Sequence, residues 1–374
     1  MNALFLGPYR QQDSSGIASQ SYIKAIASQK KYNLTTRPIF LGPPSDKIDR
    51  DILECENSLY DSYDLVIQET LPHCLFYNGK FKKHIGSIKL ETNNISNSVC
   101  LFNINQMDEI WVASTQEEKS LRKSGVTKNI KVVSQPLDIP LIKQIEGKDL
   151  DLHPMIKQTF KFYYMADHTE RSNLKDLITA FHLAFDITQP VSLIIKTSVP
   201  NMSVVDSYKS IEKEIEDIKK RLNISKKYKK EIIITDELSY EDTIKLHNSC
   251  DCFVSSSRGE SFCRPAAEAL ILGKTPIVTD NTGMTDFINH KNGSVVQSHR
   301  TPVVLDKKIL PDDFDIYNAH EYWYQINIYD LIEKMRTIYS LHKTNKKELE
   351  QKRLLGLESI DQFSYETIGK KLCI

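Results

Sequence analysis

Short apolar stretches of four to six residues alternate with amphipathic segments over most of the chain, the pattern of parallel sheets flanked by helices. Asn2–Leu6, Leu65–Gln68, Ile85–Leu90, Ile110–Val112 and Ile130–Val133 are predicted strands of one sheet. An irregular stretch from Asp138 to Lys157, containing Pro140, Gly147 and Pro154, reads as a linker. Beyond it a second series is predicted at Phe160–Met165, Val191–Lys196, Ile232–Thr235, Cys252–Ser255 and Pro276–Thr279. Between those strands, Val205–Leu222 sets Ile211, Ile215, Ile218 and Leu222 at helical spacing, and Ser239-Tyr240-Glu241-Asp242 has capping-box form ahead of Ile244, Leu246 and His247. After Val296 the alternation weakens into helical runs at Ile326–Leu341 and Lys346–Ile360 and a short final helix from Tyr365. No solenoid repeat is visible. The expected fold class is α/β: two doubly wound Rossmann-like domains, 1–150 and 151–360, in which ligands bind at the carboxyl ends of the strands, with facing sheets making a cleft.

A length of 374 residues exceeds one ordinary core and agrees with two domains. The 49 Lys+Arg balance the 49 Asp+Glu, so the chain lacks the basic surface on which a dedicated nucleic-acid binder depends; nucleic acid is disfavoured as a partner, though a local basic patch stays open. One such run, Lys226-Lys227-Tyr228-Lys229-Lys230, is either a solvated loop or a contact for an anionic acceptor or a membrane surface. No segment approaches the roughly 18–20 apolar residues of a membrane span. Met1–Leu6 with Gly7-Pro8 reads as a first strand, not a leader, and the seven cysteines show no disulfide or zinc spacing, so a cytoplasmic location is expected, with peripheral membrane contact left open.

Missing motifs exclude other chemistries. A nicotinamide-dependent dehydrogenase would carry G-x-G-x-x-G at a strand–helix turn, and none is present. Metal-held diphosphate chemistry would want Asp-x-Asp after an apolar strand. Asp149-Leu150-Asp151 and Asp313-Phe314-Asp315 match that spacing but follow no convincing strand, and Cys250-Asp251-Cys252 is at most half a metal site, so no metal or other cofactor is expected.

The densest signal runs from Ser255 through Ser256-Ser257-Arg258-Gly259-Glu260-Ser261-Phe262-Cys263-Arg264-Pro265 to Glu268, and Gly273 follows. A strand ends in a small-residue loop, Pro265 begins a helix and Gly273 stops it, and free N–H groups at the helix start suit an anion. Glu260 and Glu268 can then grip different hydroxyls of one elongated ligand. Phosphate on the helix start and carboxylates on hydroxyls describe a sugar nucleotide, although two glutamates at this spacing also occur on exposed helices.

This block closely resembles the nucleotide-sugar signature of the retaining glycosyltransferases of family 4, and the resemblance extends from residue 1 to about 372. It implies a GT-B fold with a C-terminal helix, 361–374, crossing back to an acceptor-side N-terminal domain, and a nucleotide-diphosphate sugar as donor. Glu260 would hold donor sugar hydroxyls and Glu268 the ribose, with Ser261, Phe262 and Cys263 lining the donor site. Leu6-Gly7-Pro8 and Ser14-Ser15-Gly16-Ile17 resemble the family's glycine loop, where Gly16 permits positive φ and close backbone approach or is a plain turn glycine. Asn292–Val296 looks like a late hairpin.

A departing diphosphate needs cations, because burying its growing charge unpaired costs several kcal/mol. The family supplies an Arg and a Lys without metal, but here the matching stretch, Tyr164 to Leu174, places Ala166-Asp167 and Ser172 where those cations are usual. Arg171 and Lys196 are the replacements, or else a surface cap neighbour and a snorkelling strand end. On the acceptor side, Glu91 resembles a family position near sugar and acceptor; Thr92 follows it, and His73 contacts acceptor, acts as a base or is structural. The implied acceptor is a glycan, lipid-linked or other hydroxyl. The alternative is a degenerate transferase that binds without turnover.

Overall fold

The computed structural model describes residues 1–11, 13–40, 48–222, 227–304 and 320–373. They form two compact units, Met1–Ile139 with Asp361–Ile374, and Pro140–Ile360. The division at Ile139 falls inside the irregular 138–157 stretch.

The first unit contains β1 (Asn2–Gly7), α1 (Ser14–Ser28), β2 (Asn33–Pro38), α2 (Arg50–Asn57), β3 (Leu65–Glu69), β4 (Lys83–Ser87), α3 (Ser98–Gln106), β5 (Glu109–Val112), α4 (Thr115–Lys123) and β6 (Asn129–Val132). Its sheet is parallel throughout in the order β2-β1-β3-β4-β5-β6. Central strands of such a sheet are covered on both faces, which is why β3 and β5 are buried at every position and each carries three consecutive apolar residues, Leu65–Ile67 and Ile110–Val112. The pattern missed β2, whose sequence Asn-Leu-Thr-Thr-Arg-Pro is polar. It is an edge strand, pairing from Asn2↔Asn33 to Gly7↔Pro38, and an edge tolerates Pro38.

In the second unit follow α5 (Ile139–Ile145), β7 (Phe160–Met165), α6 (Leu174–Ala184), β8 (Val191–Lys196), α7 (Val204–Leu222), β9 (Ile232–Ile234), α8 (Tyr240–Ser249), β10 (Cys252–Ser255), α9 (Arg264–Ile271), β11 (Ile277–Thr279), β12 (Ser294–Val296), β13 (Ser298–Pro302), β14 (Tyr322–Ile326), α10 (Ile328–Thr344) and α11 (Lys346–Leu357). The main sheet, again parallel, is ordered β12-β11-β10-β7-β8-β9. The expected hairpin at Asn292–Val296 is corrected: β12 is a parallel strand beside β11, and the antiparallel pair is β13 with β14. Gly293 permits this, since a Cβ there would lie 2.7 Å from the Pro276 carbonyl, the group that accepts the Ser294 N–H at 2.8 Å.

After α11 the chain returns to the first unit. Leu137 N–H donates to the Phe363 carbonyl at 2.8 Å, and α12 (Tyr365–Leu372) buries Ile368 and Leu372 in that unit's core. Gly369 permits the close packing of α12 on α1, because a Cβ at this position would fall 2.3 Å from the Ala25 carbonyl. Gly369→Ala should therefore cost about 1–3 kcal/mol by overpacking and lower the melting temperature, with faster proteolysis of the C-terminal helix; unchanged melting would contradict this packing.

Candidate active site

Each sheet has one point where strand order reverses, and such a point opens a crevice at the carboxyl ends of two parallel strands. In the second unit it lies between β7 and β10. The loop after β7 carries Asp167 to Asn173, and the loop after β10 carries Ser256 to Cys263. They are stitched together by two crossed ion pairs. Arg171 Nη1 donates to Glu260 Oε1 at 2.7 Å and to the Gly259 carbonyl at 2.7 Å. Arg258 Nη1 lies 3.1 Å from Glu170 Oε2, and its Nε donates to Gln325 Oε1 at 2.7 Å. Backbone bonds close the seam: Arg258 N–H to the Arg171 carbonyl at 2.7 Å, and Ser256 Oγ to the Asn173 carbonyl at 2.9 Å. Burial raises the Glu170 carboxyl, but hydrogen bonds and charges from Lys175 and Arg258 outweigh it and hold it below the ordinary value.

The structure thus brings Glu260 and Arg171 together. Ser261 is buried beside them, while Phe262 turns inward against the Phe287 ring at 5.3 Å between centroids. Cys263 is the N-cap of α9 at φ 68°, a conformation that strains a residue with a Cβ. Gly273, at φ 66°, ends the helix in a Schellman arrangement: its N–H reaches the Leu270 carbonyl at 2.9 Å and the Lys274 N–H reaches Ala269 at 2.8 Å. Glu268 is only 1% exposed; its Oε1 accepts from Tyr240 Oη at 3.1 Å and lies 3.7 Å from Arg264 Nη1.

Lys196 ends β8, next to β7. Its ammonium makes no hydrogen bond or ion pair among the described residues, and burial holds it below the ordinary lysine value against the opposing pull of Asp167, Asp236 and Glu237. A partly buried cation at a strand's carboxyl end can meet an anion there.

The first unit's reversal lies between β1 and β3. Gly16 is there, but the expected positive φ is corrected. It sits in the first turn of α1, is not among the glycines of positive φ, and donates its N–H to Asp13 Oδ1 at 2.8 Å. Close approach is its requirement, since a Cβ would lie 2.0 Å from the Gln11 carbonyl. His73 occupies a short 3-10 turn, Pro72–Cys74, after β3, and its carbonyl accepts from Asn103 Nδ2 at 2.9 Å. Glu91 is half-buried in the loop after β4, and Thr92 is buried with its hydroxyl donating to the Asn94 carbonyl at 2.9 Å. Asp313-Phe314-Asp315 and Lys226 lie outside the described residues, and Asp151 of the other Asp-x-Asp is almost fully exposed. No described helix is long and apolar enough to cross a membrane.

Comparison with known proteins adds the family. Residues 153–310 match the model for glycosyl transferases group 1, the span that holds both stitched loops. That segment, under half of the chain, is similar to the group 1 glycosyl transferases. Among solved structures, Anabaena HepE in complex with UDP-glucose aligns over 100% of this chain and 98% of its own at 14% identity and a TM-score of 0.64. Sucrose-phosphate synthase from Thermosynechococcus elongatus aligns over 100% and 97% at 14% identity and 0.65, and a Rickettsia africae glycosyltransferase over 99% and 96% at 14% and 0.63. Likeness at this identity establishes the GT-B fold. No curated protein sequence matches significantly.

Several residues around the candidate site escaped sequence reading. Glu170 adjoins Arg171 and Arg258 stands two positions before Glu260, and only the fold pairs them. Glu117, on α4, is buried and reaches back to the Glu91 loop: Oε1 accepts the Leu90 N–H at 2.7 Å, and Oε2 accepts those of Ala113 and Ser114 at 2.7 and 3.0 Å. Its capping-box spacing after Ser114 was the available signal. Burial pushes its carboxyl from 4.5 up to about 8, against the pull of those three N–H groups. The folded chain thus binds a proton that the unfolded chain releases, so this contribution to stability is complete below pH 4.5 and fades as pH rises through about 8. Urea unfolding of Glu117→Gln should show a shallower loss of stability across that window than the unsubstituted chain; equal slopes would refute the assignment.

Proposed function

We propose that the chain is a retaining, metal-independent glycosyltransferase, moving a sugar from a nucleotide-diphosphate donor to a hydroxyl of a glycan, lipid-linked or other acceptor. The observation that carries this reading is the Arg171–Glu260 pair at the β7/β10 reversal, at 2.7 Å, inside the segment matching the family. A carboxylate held by a guanidinium and backed by the start of α9 presents a sugar-hydroxyl acceptor beside positive charge. Solved relatives in complex with UDP and with UDP-glucose support a nucleotide sugar as donor.

In the proposed reaction the acceptor oxygen attacks the donor's anomeric carbon on the face from which the diphosphate leaves. The glycosidic bond to the diphosphate breaks, its electron pair goes to the phosphate oxygen, and that oxygen takes the acceptor proton. The chain's contribution is electrostatic. Lys196, with no anion of its own within ion-pair distance among the described residues, and Arg171 meet the charge that grows on the leaving group. Glu260 and Glu268 orient hydroxyls, and no enzymic nucleophile is required.

A second reading, binding without turnover, has one observation in its favour: Arg171 already shares its charge with Glu260 and the Gly259 carbonyl. Transfer and donor hydrolysis over a panel of sugar nucleotides separate the two. Turnover that survives EDTA supports the proposal, loss of turnover in EDTA removes metal independence, and binding with no turnover supports the second reading. Glu260→Gln and Glu260→Ala should lower transfer by about 100-fold or more, with Glu260→Ala also destabilising by about 1–3 kcal/mol through loss of the ion pair with Arg171. Wild-type turnover in Glu260→Gln would reject the assignment.

A further inference from the structure

Glu268 poses a problem that its neighbours must solve. A carboxylate 1% exposed is costly unless donors surround it. One oxygen has Tyr240 and Arg264; the other, Oε2, lies 3.4 Å from Nε2 of His247, a residue of α8 with no exposure. The opposite ring nitrogen, Nδ1, is 2.6 Å from the hydroxyl of Tyr163, in the middle of β7 and also fully buried. Burial keeps that phenol protonated, because it pushes the hydroxyl well above its ordinary value. The hydroxyl has no other hydrogen-bond partner among the described residues, so its proton points at Nδ1, which accepts, and the imidazole's own proton then stands on Nε2, the nitrogen that faces the Glu268 carboxylate. Among the described residues Nε2 has no hydrogen-bond partner in place, and Glu268 is the acidic group facing it.

Three elements of the second unit, β7, α8 and α9, thus converge on one carboxylate in a row: Tyr163, His247, Glu268. We propose that His247, held in its Nε2–H tautomer by Tyr163, is a positioning residue that fixes the Glu268 carboxylate for hydroxyls of the donor's nucleoside. The proposal rests on the reading of Glu268 as a donor-binding residue. It gives the row a task that packing alone would not. A second-layer donor sets the direction of the carboxylate's remaining lone pairs, and that direction decides how well two adjacent hydroxyls are met.

The test measures dissociation constants of UDP, GDP, ADP and CDP by calorimetry on the full chain, then donor and acceptor KM with whichever sugar nucleotide turns over. His247→Ala should weaken binding of the preferred nucleoside diphosphate about 10-fold or more, with acceptor KM unchanged. His247→Gln, whose amide N–H reaches the place of Nε2, should restore most of that loss. Tyr163→Phe removes one oxygen and should weaken binding about 3-fold at an unaltered melting temperature, which keeps the test decisive even where His247→Ala unfolds. If Glu268→Ala leaves nucleotide affinity unchanged, or no nucleotide binds, the donor-binding reading itself fails and the proposal with it. If Glu268→Ala weakens binding but Tyr163→Phe and folded His247 variants do not, Glu268 keeps its role and His247 loses the one proposed.

Discussion

The site depends on holding two loops together that the chain separates by nearly ninety residues, Arg171 from Glu260 and Glu170 from Arg258. Each loop carries one acid and one arginine, neighbours in Glu170-Arg171 and one residue apart in Arg258-Gly259-Glu260, so each loop gives and receives one pair. Each arginine also accepts or donates through its own backbone within the seam. Loops at a sheet's edge would otherwise be free to move. Here the half-buried position strengthens each pair beyond an exposed one, and loss of any member removes one charge partner from a half-buried group.

That seam explains how the altered cation segment is accommodated. The segment with Asp167 and Ser172 at the usual cation positions is packed into β7's exit: the Ala166 N–H reaches the Lys196 carbonyl at 3.3 Å, and Ser172 bonds Thr169 through its hydroxyl at 2.8 Å. The neighbouring cations are Arg171, beside Ser172, and Lys196, at the end of the next strand. The two differ in state. Arg171 is committed to a carboxylate, which orients it, whereas Lys196 keeps its ammonium without an ion pair among the described residues. In the proposed reaction one guanidinium organises the loops and one ammonium is available to the leaving group.

Burial works in a related way around the two internal carboxylates of this account. Glu117 draws three N–H groups from the β4 exit and the start of α4, and so shapes the loop that carries Glu91. Glu268 draws Tyr240, Arg264 and His247 from around α9. In each case the cost of burying a carboxyl is offset by donors from different elements, and the donors are thereby fixed in place.

The sequence by itself determined the α/β class, the two parallel sheets and the loop–helix that begins at Glu260, because these rest on local alternation, capping and turn residues. Gly273 stops α9 for a reason visible in its neighbours, a positive φ. It also pointed to Arg171 and Lys196, since a cation's position at a strand end follows from the strand. Other features had no local signature. The edge strand β2 is polar, the Asn292–Val296 segment pairs in parallel with a strand seventeen residues away at Ile277↔Ser294, and Gly16 is required by a contact, not by φ. Only the tertiary structure decided that Glu260 meets Arg171, that Arg258 meets Glu170, and that Tyr163, His247 and Glu268 form one row. Those pairings are set by strand order, and strand order is a long-range property that alternation along the chain does not encode.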